Sequence, residues 1–308
     1  MKHSINQPTE LFQNHAIHFE SEDPDFSDED HETWSIFFRE IETMFQRFPT
    51  LVHPFYRENF GSLKAFRTRI PTLQQINQIL KPIGWKAKYV NGYEPSWEIA
   101  RLLAAHTLPI SRSIRQRSQV FFANEPDLIH DIFGHIPSLL NREYRRILAL
   151  WAKAASNETV SQVDLAHYHL NKLIAQSQDN VPKASIDQLT SAAKLVDNFI
   201  KSRPTATQIY DKAYFWIFEF GVVEHLGQRA VLGAGLLSSL TEFAHFATCA
   251  TETIPFSIDT ILAPTNISSS QNAYLVVDSA AQYRKVLNTL AESTVMPEIN
   301  SAGRHAIH

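Results

Sequence analysis

The stretch that decides the reading runs Glu125-Pro126-Asp127-Leu128-Ile129-His130-Asp131-Ile132-Phe133-Gly134-His135-Ile136-Pro137. It sets two histidines, five positions apart, in a largely apolar segment. On an ideal helix, at about 100° per residue, such a pair points roughly 140° apart. Gly134 and Pro137 offer a remedy: a helix that distorts or ends there lets His135 swing round to join His130. The H-E-x-x-H zinc pattern, which puts both rings on one helix face, does not match.

A third ligand has to come from elsewhere. Glu219 is the best candidate, embedded in Tyr214-Phe215-Trp216-Ile217-Phe218-Glu219-Phe220-Gly221. A carboxylate in so apolar a run is costly to desolvate, so it needs a cation, a hydrogen-bond partner or a proton. Two neutral imidazoles and a carboxylate on one side of an ion leave positions open for dioxygen and substrate, the arrangement of non-haem Fe(II) oxygenases. Spacing alone leaves other readings open. The histidines can be structural or surface residues, and Glu219 can be a buried ion-pair partner. A zinc hydrolase is a more distant reading, since no general base accompanies the histidines at the spacing such enzymes use.

Composition narrows the classes around this motif. The chain has 308 residues, 44% hydrophobic, enough for one large core or two small ones. Its nine glycines argue against a glycine-rich dinucleotide-binding architecture. A net charge of -4 advertises no nucleic-acid partner. The single cysteine, Cys249, excludes an intrachain disulfide framework and fits a reducing cytoplasm. The first twenty residues lack the apolar core of a signal peptide, and no run approaches the length of a membrane helix. The expectation is a cytoplasmic protein, monomeric or a small homo-oligomer, with no nucleic-acid or membrane partner.

Outward from the motif, periodicity predicts a mainly helical α+β domain. Residues 1–26 are polar and acidic and read as a flexible lead-in, with a single domain over 27–308. Ser27 and Asp30 start a helix whose apolar positions run Trp34, Phe37, Phe38, Ile41, Met44, Phe45 and Phe48. Further helices are expected over 72–80 and 95–105, and then over roughly 143–156, 161–177, 185–202, 206–228 and 280–290. Strands are expected at Trp85–Tyr89, ending at Asn91-Gly92, around Leu108–Ile114, and at Ala273–Val277. The polar helical stretch over about 157–203 reads as an inserted pair outside the central core. The last dozen residues are expected to fray.

With these residues in view, the chain resembles the pterin-dependent aromatic amino acid hydroxylases, and most closely their bacterial phenylalanine hydroxylases. Four blocks carry the resemblance in order: Leu108-Pro109 through Ile114-Arg115, Glu125-Pro126-Asp127 through Pro137, Phe218-Glu219-Phe220-Gly221, and Gly233-Ala234-Gly235-Leu236-Leu237-Ser238-Ser239. Weaker similarity reaches both ends.

The resemblance implies that family's catalytic-domain fold, Fe(II) and tetrahydropterin as cofactors, and dioxygen and an aromatic amino acid as substrates. Phenylalanine to tyrosine is the default reaction. It implies His130, His135 and Glu219 as iron ligands. Arg115 and Ser238 would hold the substrate carboxylate, with Phe220, Phe215 and Pro126 lining the ring pocket. Gly92, Ile99 and Asp131 would contact the pterin. Neither the regulatory N-terminal domain nor the tetramerising tail of the animal members is expected.

Several positions depart from the family pattern. Ile99 stands where a phenylalanine usually stacks on the pterin, with Ala100 beside it and Trp97 two residues earlier. Phe215 replaces a pocket tryptophan, and Asp211 a small apolar residue near the pterin. The connection between His135 and Glu219 is longer than in short bacterial members. Alternatives are tryptophan as substrate, a different ring position, or an iron-binding, ligand-sensing relative without turnover.

Overall fold

The computed structural model describes residue 17 and residues 19–91, 94–123, 125–176, 182–265 and 270–295. Gly92, most of the lead-in and the last dozen residues lie outside these.

The main helices are α1 (Asp28–Arg47), α2 (Leu73–Leu80), α3 (Ser96–Ala104), α4 (Arg142–Asn157), α5 (Gln162–Gln176), α6 (Lys183–Ser202), α7 (Ala206–Tyr214), α8 (Leu240–Thr248) and α9 (Ala280–Val295). The strands are β1 (Phe19–Glu20), β2 (Lys86–Val90), β3 (Thr107–Ser111), β4 (Val222–His225), β5 (Gln228–Val231), β6 (Glu252–Pro255) and β7 (Ala273–Val277). The expected class, α+β and mainly helical, is the one found.

Local signals fix the ends of the first elements. Ser27 Oγ accepts the Asp30 N–H while Asp30 Oδ2 accepts the Ser27 N–H, a closed capping box that starts α1. Thr72 and Gln75 repeat the device at α2. The apolar stripe of α1 buries Trp34, Phe37, Phe38 and Ile41. Three of these rings surround Phe133, with centroids at 4.7, 4.8 and 5.1 Å, so the first helix clamps the histidine segment in place.

Two small sheets flank the helical body. In one, β2 pairs in parallel with β3 and antiparallel with β1. The other runs β5-β4-β7-β6, with β4 antiparallel to β5 and β7 parallel to both β4 and β6. Ile114 lies beyond the end of β3. Residues 19–26, grouped by composition with the flexible lead-in, are held. Phe19 and Glu20 pair with β2, and Asp23 Oδ1 accepts the Leu73 N–H and the Tyr89 hydroxyl.

The helix expected over 206–228 is a second correction. Helical structure ends at Glu219, and residues 222–231 form a hairpin. Gly221 turns the chain out, its carbonyl accepting the Leu232 and Gly233 N–H groups. Leu226 and Gly227 close the hairpin, both with positive φ (53° and 74°), as a two-residue primed turn requires. Leucine at a left-handed position hid that turn in the sequence. β1, β5 and β6 were likewise not anticipated: β1 is only two residues long, and β6 ends in proline.

Helices α5 and α6 pack on each other. Buried Asp164 anchors their base by accepting the Thr205 hydroxyl at 2.7 Å, and Tyr168 meets Trp97 of α3 edge-on at 5.5 Å. No described helix is long and apolar enough to cross a membrane.

Candidate metal centre and substrate cavity

The histidine problem is solved by a change of helix type. Residues His130–His135 form a π-helical turn, which returns to α geometry where Ile136 N–H donates to the Ile132 carbonyl. Bonding at i→i+5 brings residues five apart onto one face, where an α-helix would splay them. The two Nε2 atoms therefore stand 3.3 Å apart. Tyr56 donates its hydroxyl to the Phe133 carbonyl at 2.7 Å, serving a carbonyl inside the interrupted ladder. A Cβ on Gly134 would come within 2.7 Å of the Ala234 Cβ, so glycine is what lets the Gly233–Gly235 segment lie against the turn.

The carboxylate uses the same device. Phe215–Glu219 is also π-helical, with Phe220 N–H donating to the Phe215 carbonyl at 2.8 Å. This turn stacks the Phe215 and Phe220 rings at 4.4 Å and brings the Glu219 carboxylate to both histidines. Its two oxygens lie 3.3 Å from His130 Nε2 and 3.3 Å from His135 Nε2. Donors at right angles on one ion, each about 2.1 Å from it, stand roughly 3 Å apart, so the set fits a single transition-metal ion.

Electrostatics say the same. Burial favours a neutral Glu219, yet the His130 and His135 rings outweigh it and hold this carboxyl well below the usual carboxylate range. Burial also opposes charge on His130, and again the neighbour wins: the Glu219 carboxylate pushes the imidazole up to about 9. A buried carboxylate set between two imidazoles suits a cation, and a metal ion there would displace the proton.

A second carboxylate competes for the third position. Asp131 contributes an oxygen to a cluster with His130 and His135 whose donor atoms all lie within 4.8 Å. Its Oδ2, however, accepts the Ser111 N–H at 2.6 Å, and burial raises its pKa to about 6 despite both imidazoles. Glu219 presents both oxygens to the rings and is ionised by them. Of the two carboxylates, its geometry suits an ion shared with both rings better.

Around these groups lies a cavity of about 270 Å³. Pro126, Phe215 and Phe220 supply apolar wall, while Arg115 and Ser238 supply polar groups. Arg115, with its side chain 3% exposed, is already engaged. Its Nε and Nη2 donate to Asp127 Oδ2 and Oδ1 at 3.0 and 2.7 Å, and Nη1 donates to the Ser238 carbonyl at 3.1 Å. Five N–H donors less these three leave two for a ligand. Ser238 Oγ sits 2.9 Å from His130 Nδ1. With Nε2 on a metal, Nδ1 carries the proton and donates to Ser238, whose own hydroxyl hydrogen is then free for a substrate oxygen.

The sequence reading missed two groups at this site. Asp127, inside the quoted motif, also accepts the His130 N–H at 3.0 Å and so ties the arginine to the metal segment. Tyr214 is the other, its own pKa raised well above normal by burial and then by the Glu219 carboxylate. The signal for Asp127 was present, as an acid three residues before a candidate ligand.

Of the remaining expected pterin contacts, Ile99 lies half-buried on α3, which packs against β3, and Ser111 of β3 holds Asp131. For Asp211, burial first, then Asp164, raises the pKa to about 7. Trp97 is buried against Tyr168.

Two imidazoles and a carboxylate beneath an aromatic cavity are the kind of site that mononuclear non-haem iron oxygenases use. The chain belongs to the biopterin-dependent aromatic amino acid hydroxylase family, whose model matches it in two overlapping segments, residues 5–209 and 202–298. It is 25% identical to the phenylalanine-4-hydroxylase of Chromobacterium violaceum over 83% of this chain and 72% of that protein. It is also 25% identical to that of Mesorhizobium japonicum over 87% of this chain and 82% of its relative. A crystal structure of the Chromobacterium violaceum enzyme, with iron(III) and 7,8-dihydrobiopterin, shares the fold at a TM-score of 0.66. The match covers 89% of this chain and 84% of that one at 21% identity.

Proposed function

We propose that the chain hydroxylates the ring of phenylalanine to give tyrosine, with Fe(II) held by His130, His135 and Glu219. The observation that carries this is the convergence of both Nε2 atoms and the Glu219 carboxylate at 3.3 Å spacing, beside a cavity that has an arginine and an aromatic wall. When bound, iron and tetrahydropterin supply the redox chemistry that activates dioxygen.

The chain's own residues do the positioning. The two spare donors of Arg115 grip the amino acid carboxylate, while Asp127 fixes the guanidinium plane from behind. Ser238 adds a hydroxyl hydrogen bond to that carboxylate and holds His130 in the tautomer that ligates through Nε2. The stacked Phe215 and Phe220, with Pro126, form an apolar slot that excludes water from the ring. Ile99 would offer an aliphatic wall and the half-buried Asp131 a carboxyl, groups that suit a flat heterocycle with hydrogen-bonding edges.

The test is anaerobic Fe(II) reconstitution followed by a tyrosine assay with and without tetrahydropterin. Tyrosine should form only with both. Iron-dependent activity that needs no pterin refutes the cofactor assignment, and product analysis on tryptophan and tyrosine checks the substrate.

A further inference from the structure

Glu242 stands in the third position of α8, behind the Ser239 N-cap. Serine followed by glutamate at that spacing is the signature of a capping box, in which the glutamate turns back to its cap. Only half of the box forms. Ser239 Oγ accepts the Glu242 N–H at 3.3 Å, but the Glu242 carboxylate turns inward. Its Oε1 accepts the Gln271 N–H at 2.9 Å and the Tyr274 hydroxyl at 2.6 Å. The residue is 2% exposed and lines the cavity together with Arg115 and Ser238. Among the described residues Oε2 receives no hydrogen bond and no cation pairs with the carboxylate.

A buried carboxylate with one oxygen clamped and the other unclaimed calls for a positive partner. Among the described lining residues none is spare: the charge of Arg115 is matched by Asp127, His130 lies against Glu219, and the aromatic walls are neutral. An α-amino acid enters as a zwitterion. Arg115 can serve its carboxylate but not its ammonium group, and Ala123 and Phe122 on the wall carry no acceptor side chain. Glu125 is an acid too, but it is exposed at the rim, where water screens it.

We infer that Glu242 is the receptor for the substrate's α-ammonium group, and that the cavity thereby selects a zwitterionic amino acid over a simple aromatic acid. The inference rests on the proposed function and adds to it the residue that reads the amino end. Gln271 and Tyr274 are positioning residues: by holding Oε1 they aim the carboxylate away from its helix cap.

The test compares binding of L-phenylalanine and 3-phenylpropanoate, which lacks the ammonium, to the full Fe(II)-loaded chain under anaerobic conditions. Glu242→Gln keeps an oxygen for Gln271 and Tyr274 but removes the charge. It should weaken phenylalanine about 10–100-fold, the worth of a hydrogen bond to a charged group, and leave 3-phenylpropanoate as tight or tighter. Glu242→Asp, which keeps the charge, should retain more of the preference for phenylalanine. Parallel weakening of both ligands in Glu242→Gln overturns the inference, as does unchanged affinity for phenylalanine. Should Glu242→Gln not fold, the wild-type chain decides: equal affinity for the two ligands overturns the inference. A wild-type chain that hydroxylates no aromatic amino acid refutes the proposed function itself, and shows this before any variant is compared.

Discussion

Replacing Asp127 by asparagine removes one charge and turns one of two acceptor oxygens into a donor. In the native site each oxygen receives two donors: Oδ1 takes Arg115 Nη2 and His130 N, and Oδ2 takes Arg115 N and Nε. Whichever way the amide is flipped, its NH₂ faces two N–H groups, so half of the four hydrogen bonds are lost. The guanidinium, 3% exposed, keeps its charge without a counter-ion. Removing one partner of such a buried pair costs roughly 3–5 kcal/mol. At about 2 °C per kcal/mol for a chain of this size, the melting temperature should fall by about 6–10 °C. The same change frees the guanidinium plane, so KM for the amino acid should rise more steeply than kcat falls. Thermal unfolding and steady-state kinetics read the two effects. An Asp127→Asn protein that melts within about 2 °C of wild type, with KM unchanged, would refute the claim that this pair organises the site.

Three other outcomes are expected. Glu219→Gln should lose Fe(II) affinity by more than about 100-fold, since even an outer partner of a ligand is worth 10–100-fold; wild-type iron content after gel filtration would transfer the third-ligand role to Asp131. Ser238→Ala should weaken Fe(II) by about 10–100-fold in an anaerobic titration, because His130 Nδ1 loses its acceptor; unaltered affinity with a raised KM would leave Ser238 a substrate role alone. Asp211 bears on pH. Burial raises its folded pKa to about 7, so the folded chain keeps a proton that the unfolded chain releases near pH 4. Stability should therefore fall as pH rises through that window, and Asp211→Asn should flatten the fall in melting temperature. Identical profiles for the two proteins count against the assignment.

Sequence by itself determined the elements whose signals are local. Ser27 with Asp30 and Thr72 with Gln75 start their helices through contacts three residues apart, and the stripe from Trp34 to Ile41 shows its buried face by period alone. The histidine pair and Glu219 were legible as an apolar setting for groups that need a cation. The awkward spacing of His130 and His135 was visible too, and with it the need for distortion at Gly134. Tertiary structure decided how the distortion resolves: a π turn held by the ring cage around Phe133, the Tyr56 hydroxyl and the close approach of Ala234. Those partners come from segments far apart in the chain, and no local pattern encodes their meeting. For the same reason the bond from Ser238 to His130 and the inward turn of Glu242 could not be read in advance. The hairpin over 222–231 escaped because a leucine fills a turn position where glycine or asparagine would have announced it. A ligand set can be suspected from residue types, but its geometry is a long-range property, fixed only when the helices carrying it are packed.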